Sequence, residues 1–169
     1  EYLFEDKKSF ISQREIGIDV PDYHPALKTV VRQDPDVILI GEMRDHLSFD
    51  AALSAAETGH LVFATIHASS VAQCIGRLLD LFPTERQALV RQSLSFNLRS
   101  ILCQRLLPST QEEMNMVPAV EIFFNNPTAQ KLIAASEDKK LGHLLKASKE
   151  EGMQDLNMSL VDLVDRGLT

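Results

Sequence analysis

The sequence predicts an α/β fold, in which a parallel sheet is flanked by helices and a small helical subdomain follows. Between residues 23 and 97, helical patterns alternate with two short apolar runs at 37–40 and 61–66. Strands that are separated by helices and apolar at successive positions are typical of parallel sheets whose two faces are both covered. Residues 126–169 have an amphipathic helical pattern, which predicts the C-terminal subdomain.

The elements of the first third are delimited by capping and breaking residues. Residues 9–12 place two apolar side chains, Phe10 and Ile11, between two serines, which we interpret as a short strand. Asp22 is placed to cap a helix over 23–33, which ends at Asp34-Pro35 because the residue before proline disfavours the α region. A strand over 37–40 follows. The alanine-rich stretch 47–57 predicts a helix that Thr58-Gly59 ends.

The remaining elements follow from the same signals. After a strand over 61–66, Ser69 or Ser70 is placed to cap a helix over 71–81. Thr84 with Gln87 predicts a capping box for a helix that reaches about residue 97. Later patterns predict strands at 101–107 and 117–124, a helix capped by Asn126-Pro127 and a break near Gly152. We expect two domains, 1–108 and 109–169.

Composition and charge exclude several classes of protein. The chain has 169 residues, 44% of them hydrophobic, and a net charge of −7, which argues against non-specific binding to nucleic acid. No apolar run approaches the roughly 20 residues that a membrane-spanning helix needs. Cys74 and Cys103 are far apart in apolar surroundings, which predicts free buried thiols in a reducing compartment. We therefore expect a cytoplasmic protein, or the cytoplasmic part of a larger one.

A carboxylate follows the first predicted strand directly. Gly41 and Glu42 come after the apolar run, and the glycine leaves room for a ligand to approach the backbone. Glu42 is therefore a candidate general base that orients or deprotonates a water. The alternative is a surface carboxylate paired with Arg44. For Arg44, contact with a phosphate and a salt bridge at the sheet edge are both open, and the pattern favours the salt bridge.

Two histidines bracket the second strand. His60 precedes it and His67 follows it, and a strand of that length spans roughly 20 Å, so the two cannot share a zinc ion. His67 is a candidate donor to a phosphate or a water, whereas the role of His60 stays open. Scattered arginines are typical of solvated surface, unless a site between subunits uses them; the arginines concerned are Arg14, Arg32, Arg77, Arg91, Arg99 and Arg105.

The motif that holds the phosphates of a nucleotide is missing. Nucleotide hydrolases of this architecture use a GxxxxGK[ST] loop, and the sequence contains none. The chain by itself is therefore not expected to hold the phosphates of ATP in the usual way.

Four stretches of the sequence resemble the motor ATPases of type II secretion and type IV pili. They are VVRQDPDVILIGEMRD at 30–45, similar to the Walker B region of that family, AAETGHLVFATIHASS at 55–70, similar to its histidine box, LLDLFP at 78–83 and CQRLLP at 103–108. The opening stretch 1–17 resembles the segment that leaves the family's aspartate box. The resemblance implies a RecA-like domain that assembles into a hexameric ring, uses ATP with Mg²⁺ and has its P-loop upstream of residue 1. It implies that this chain alone is inactive.

The resemblance also implies roles for individual residues. Glu42 would polarise the attacking water, and His67 would contact the γ-phosphate region. Gly41 stands where many P-loop proteins have the Walker B aspartate. His60 belongs to the histidine box, and Arg44, Arg77 and Arg105 fall in matching motifs, so these residues are expected to contribute to nucleotide binding. The implied partners are further copies of the chain and an inner-membrane pilus platform protein, with no nucleic acid and no insertion into the membrane.

Within the family, one absence favours the PilT-like retraction branch. The sequence lacks the four-cysteine zinc motif of the extension motors. The branch's motif Ala-Ile-Arg-Asn-Leu-Ile-Arg is matched by residues 128–134, which read TAQKLIA and retain neither arginine. The leading hypothesis is a motor for pilus retraction and twitching motility. An accessory or non-catalytic ring paralogue and a related secretion ATPase are the alternatives.

Overall fold

The computed structural model describes residues 3–169, apart from the side chain of His24. The first two residues of the stretch that resembles the segment after the aspartate box lie outside the described residues. The chain forms two compact units, the first ending at Ile66 and the second comprising His67–Thr169. The domain boundary expected at 108/109 stays a prediction, and it falls inside the second unit.

The first unit contains two helices and two strands. Helix α1 is Tyr23–Val30 and passes into a 3₁₀ turn, Val31–Gln33. As predicted, the Asp22 carboxylate accepts a hydrogen bond at the start of α1, and Asp34 ends the segment with a positive φ of 52°. The other elements are β1 (Val37–Ile40), α2 (His46–Glu57) and β2 (Leu61–Ala64).

Strands β1 and β2 pair in parallel, which confirms the predicted pairing. Val37 lies opposite Leu61 in the register. On one face Ile38 and Ile40 are buried with Ala52 and Ala55 of α2, and apolar residues of α1 pack against them.

The second face of these strands differs from expectation. Its residues are about half exposed: Val37 52%, Leu39 56%, Leu61 46% and Phe63 53%. Coverage of both faces is therefore not found in the described chain, because α1 and α2 pack on the face that bears Ile38 and Ile40.

The strand predicted over residues 9–12 is wrong. These residues have no regular structure, and the side chain of Phe10 is 86% exposed. The Ile11 amide donates to the Asp6 carboxylate at 2.7 Å instead of to a neighbouring strand. A short stretch of this kind forms a strand only where another strand satisfies its backbone, and the described chain provides none here.

The second unit begins with two helices and a β-hairpin. Helices α3 (Val71–Asp80) and α4 (Thr84–Asn97) precede β3 (Ser100–Pro108) and β4 (Met116–Phe124), all close to the predicted positions. The strands are antiparallel, with Cys103 opposite Glu121 and Arg105 opposite Ala119. One face of the hairpin is largely buried and bears Ile101, Val117, Ala119 and Phe123.

The C-terminal part is helical, as predicted. It contains α5 (Pro127–Ala134), α6 (Leu141–Ala147) and α7 (Leu156–Asp165). Asn126 caps α5 with Pro127 in its first turn. Gly152, with φ +86°, breaks the helical segment before α7, and Ile122 of β4 then pairs with Gln154. None of the helices among residues 3–169 has the length and apolar character to span a membrane.

The capping box predicted at Thr84 is wrong. Pro83 holds the cap position of α4 without a side-chain hydrogen bond, and Thr84 is already helical. The side-chain Nε2 of Gln87 donates to the carbonyl of Phe82 at 3.1 Å instead of the Gln87 side chain reaching the backbone of Thr84. Proline's fixed φ suits a helix start, so the helix begins one residue earlier than the box requires.

Arg91 is not the solvated surface residue that the sequence led us to expect. Its guanidinium contacts Asp138 in the turn before α6 and donates to the carbonyl of Ile133 near the end of α5 at 3.0 Å. The side chain is 14% exposed.

Both cysteines are free thiols, as predicted, although only Cys74 is fully buried. Burial raises the pKa of Cys74 to about 12 and that of Cys103 to about 11.

Candidate functional site

The carboxyl ends of β1 and β2 lie at one edge of the parallel pair. Hydrogen bonds join the two chain segments that directly follow these strands. The amide of Met43 donates to the carbonyl of Thr65 at 2.9 Å. The Thr65 hydroxyl also donates to the carbonyl of Gly41. These bonds fix the backbone on either side of Glu42. In sheets of this kind, ligands bind beyond the carboxyl ends of the strands.

Gly41 is not required by the local fold. A Cβ atom built on Gly41 would meet no atom within 4 Å, and its φ lies outside the left-handed region that favours glycine. Its small size therefore serves no contact among the described residues. An open backbone at this edge suits the close approach of a ligand.

Glu42 is paired with Arg44. Arg44 Nη2 lies 2.6 Å and Nε 2.7 Å from Glu42 Oε2, and the side chains are 74% and 24% exposed, respectively. A carboxylate at the strand end and an ion pair with Arg44 were alternative interpretations of the sequence. The structure shows both, because the pair forms at the carboxyl edge itself.

Asp45 is committed to a structural role. Its Oδ1 accepts from the Ser48 amide at 2.7 Å and so caps α2. This backbone hydrogen bond lowers the pKa of Asp45 below its usual value. The two carboxylates in Glu42-Met43-Arg44-Asp45 thus differ in their contacts, since Asp45 caps α2 and Glu42 pairs with Arg44.

His60 lies at the amino end of β2, away from the edge that bears Gly41. Its Nδ1 is 3.0 Å from the carbonyl of Ala55 and 3.2 Å from the Thr58 hydroxyl, at the end of α2. Donation to a carbonyl requires the hydrogen on Nδ1. These contacts tie the ring to the junction between α2 and β2, and the structure does not bring it to Glu42.

His67 opens the second unit, three residues after β2, and its side chain is exposed. The loop that follows is joined to the hairpin, because Arg105 Nη2 donates to the Ser69 carbonyl at 3.3 Å. The structure thus brings Arg105 to the loop that carries His67. Arg77 lies exposed in the last turn of α3, at the opposite end of that helix from the loop.

The sequence interpretation missed Glu121. This half-buried residue of β4 accepts a hydrogen bond through Oε2 from the Val71 amide, the first of α3, at 2.8 Å. A carboxylate is favourable at a helix N-terminus. The available signal was a single glutamate within the apolar run 117–124.

The second unit contains a cavity of about 320 Å³. None of the predicted site residues is among the described residues that line it. Its described lining includes charges of both signs, with Glu121 and Asp155 beside Lys139 and Lys146. These two carboxylates and two ammonium groups balance, so the four charges carry no excess of either sign.

Comparison with known proteins gives consistent matches. The family described as "Type II/IV secretion system protein" matches residues 9–154. The chain is 40% identical to the type IV pilus retraction ATPase PilT and 39% identical to the type IV pilus ATPase PilU, both of Pseudomonas aeruginosa, over 99% of its length. A crystal structure of the pilus retraction motor PilT with bound ADP superposes with a TM-score of 0.87 at 40% identity, covering 99% of this chain and 47% of that one.

A more distant structure shares the fold. The ATPase DotB of Yersinia pseudotuberculosis matches with a TM-score of 0.81 and 27% identity over 95% of this chain and 41% of that one. The chain spans about half the length of the curated relatives, 48% of PilT and 44% of PilU. The match thus covers this chain almost completely and about half of each relative.

Proposed function

The chain belongs to the type II/IV secretion system protein family, and we propose that the whole protein is an ATP-hydrolysing motor of a type IV pilus machine. In this proposal, hydrolysis drives pilus retraction and twitching motility. The observation that carries it is the position of Glu42, one residue beyond a glycine that the local fold does not need, at the carboxyl edge of a parallel strand pair. The similarity to PilT and PilU over 99% of the chain supports it.

Glu42 is proposed to orient the attacking water and to accept its proton. A general base must lie within hydrogen-bond reach of that water, and the bonds from Met43 and Thr65 fix the backbone that sets its position. Arg44 holds one carboxylate oxygen and keeps the side chain in one orientation. Gly41 leaves the backbone open to the phosphates.

His67 is proposed as a further residue that acts on the nucleotide, with Arg105 holding the loop that carries it. The resemblance assigns His67 to the γ-phosphate. Arg77 also stays a candidate for binding nucleotide, as the resemblance implies. For His60 the contacts with Ala55 and Thr58 support a structural role in place of the expected binding role.

ATP with Mg²⁺ fits the residues present, which offer an open backbone at Gly41 and a carboxylate beside it. Bound in this way, the nucleotide would supply the phosphoryl group, and Mg²⁺ would neutralise its developing charge. We propose that the phosphate-holding loop, of which this sequence has no example, lies in the remainder of the protein. We also propose a cytoplasmic homo-hexameric ring that acts on an inner-membrane pilus platform protein.

The second candidate is an accessory or non-catalytic ring. The observation that favours it is the loss of both arginines from the retraction motif, where Gln130 and Ala134 stand instead. Leu132 and Ile133 of α5 are the motif residues that this sequence retains, and Ile133 is fully buried, so the part of the motif that packs is kept. The two functions differ in whether the whole protein turns over ATP.

ATP turnover by the full-length protein tests the proposal, with ring assembly followed by light scattering in the same samples. We expect Glu42→Gln to keep nucleotide binding and rings while turnover falls by roughly 100-fold or more. Glu113→Gln, in the exposed connection between β3 and β4, is the matched control. Turnover at the wild-type rate in Glu42→Gln would contradict the assignment. A wild type that forms rings without turnover would favour the accessory ring.

A further inference from the structure

We propose that Glu121 and Arg105 are positioning residues that fix residues 67–70, here named the histidine loop, and through it His67. The inference rests on the role proposed above for His67 and extends it to the β-hairpin. Neither residue is assigned contact with nucleotide in this inference. Together they would make the β3–β4 hairpin the support against which the histidine loop is held.

The two side chains bind the backbone on either side of Ser70. Arg105 Nη2 donates to the Ser69 carbonyl at 3.3 Å, and Glu121 Oε2 accepts from the Val71 amide at 2.8 Å. The hairpin thus provides a donor for the carbonyl of Ser69 and an acceptor for the amide of Val71, two residues further along the chain. Two bonds of opposite sense restrain both the position and the direction of this short segment.

The register explains why both groups reach the same place. Cys103 lies opposite Glu121, and Arg105 lies opposite Ala119, so these four residues share one face of the hairpin. That face is largely apolar, and Ala119 is fully buried. Glu121 is half-buried on this face, where a charge is costly unless it is hydrogen-bonded, and its bond to the Val71 amide meets that need. Arg105 is exposed at the same face and bonds to the Ser69 carbonyl. Burial is the main reason that the pKa of Cys103 is raised; the charge of Glu121 raises it further and that of Arg105 lowers it, in keeping with their shared face.

Capping of α3 accounts for the bond between Glu121 and the Val71 amide, but not for the bond of Arg105. Helix α3 already has a side-chain cap, because the Ser70 hydroxyl accepts from the Gln73 amide at 3.3 Å. The Gln73 side chain in turn binds the hydroxyl of Ser69. Arg105 bonds to a carbonyl before the helix begins, where it satisfies no helical group. Its contact is explained by holding the histidine loop.

A double-mutant cycle in the full-length protein tests the inference. We expect Glu121→Ala to lower kcat roughly tenfold or more with little change in KM, because a displaced catalytic group loses its alignment. Glu121→Gln, which keeps an acceptor oxygen, should recover most of the loss. In a His67→Ala background, Glu121→Ala should lower kcat little further, since Glu121 would act through His67. Glu113→Ala, in the exposed connection between β3 and β4, is the control.

Additive effects of Glu121→Ala and His67→Ala would overturn the inference, as would an unchanged kcat in Glu121→Ala. Hydrogen exchange of the amides of residues 67–71 provides a readout that needs no turnover. Glu121→Ala and Arg105→Ala should each increase exchange there and leave α5 and α6 unchanged. Unchanged exchange would overturn the inference even in an inactive protein. Loss of turnover in the wild type or its retention in Glu42→Gln would instead contradict the proposed function.

Discussion

The guanidinium of Arg91 holds both carboxylate oxygens of Asp138, with Nη1 2.6 Å from Oδ1 and Nη2 2.9 Å from Oδ2. The two side chains are 14% and 18% exposed. Nη1 also donates to the Ile133 carbonyl near the end of α5. One side chain of α4 thereby fastens the end of α5 and the turn before α6. The planar fork of arginine matches a carboxylate in a way that lysine cannot.

We expect Arg91→Ala to lower the free energy of unfolding by about 2–4 kcal/mol, because it leaves the Asp138 carboxylate without its partner in a largely buried place. Arg91→Lys should recover only part of the loss. Urea denaturation followed by circular dichroism measures it, with Arg99→Ala, at an exposed position, as the control. Equal midpoints for Arg91→Ala and Arg99→Ala would show that the pair does not contribute to stability.

Alanine substitutions should show that the two histidines of the histidine box have different roles. His60→Ala removes the contact with the Ala55 carbonyl and should lower the melting temperature while kcat changes little. His67→Ala, at an exposed position, should lower kcat at an unchanged melting temperature. Thermal melting and ATP turnover of the same full-length samples measure both. The reverse pattern would show that His60 takes part in the chemistry.

Gly41→Ala should weaken the binding of ATP without lowering the stability of the fold. Since the added methyl meets no atom within 4 Å and φ is ordinary, stability should be unchanged or rise by about 0.4–1 kcal/mol. The Kd for ATP should rise several-fold, because the methyl would occupy the space proposed for the phosphates. Titration with a fluorescent ATP analogue measures this Kd, with Gly142→Ala of α6 as the matched glycine control. Unchanged affinity would remove Gly41 from the proposed site.

The cysteines predict a loss of stability at alkaline pH. Burial raises their pKa values from the ordinary 9.0 to about 12 for Cys74 and about 11 for Cys103. Between pH 9 and these values the folded protein binds more protons than the unfolded one, so the free energy of unfolding falls as pH rises. Urea denaturation from about pH 8 to 11 should show a steeper fall for the wild type than for the Cys74→Ala/Cys103→Ala variant. Equal slopes would mean that the thiols are not protected by burial.

The parts of the fold that sequence predicted well are those with local causes. Asp22, Ser70 and Asn126 cap helices because each side chain reaches an amide within three residues of itself. The bounds of strand β1 were predicted correctly, since its four apolar positions lie between Asp36 and Gly41. Such signals depend on neighbours in the chain and need no knowledge of the rest of the molecule.

The errors and omissions depend on distant partners. The pattern at residues 9–12 resembles that of a strand but meets no neighbouring strand in the described chain. Arg91 was grouped with solvated arginines, because Asp138 lies 47 positions away along the chain. Glu121 was not identified for the same reason, as its contact with Val71 spans 50 positions. For the candidate site, sequence located Glu42 at the strand end but did not reveal the bonds from Thr65 that fix its neighbours.

The register of the hairpin has a consequence for how this protein can change in evolution. A one-residue insertion or deletion inside β3 or β4 would turn the side chains beyond it to the opposite face, so that Arg105 or Glu121 would leave residues 69–71. The connection at 109–115, between the strands, can change length without that effect. Length variation among descendants of this sequence should therefore collect in the connection, while both strands keep their residue count.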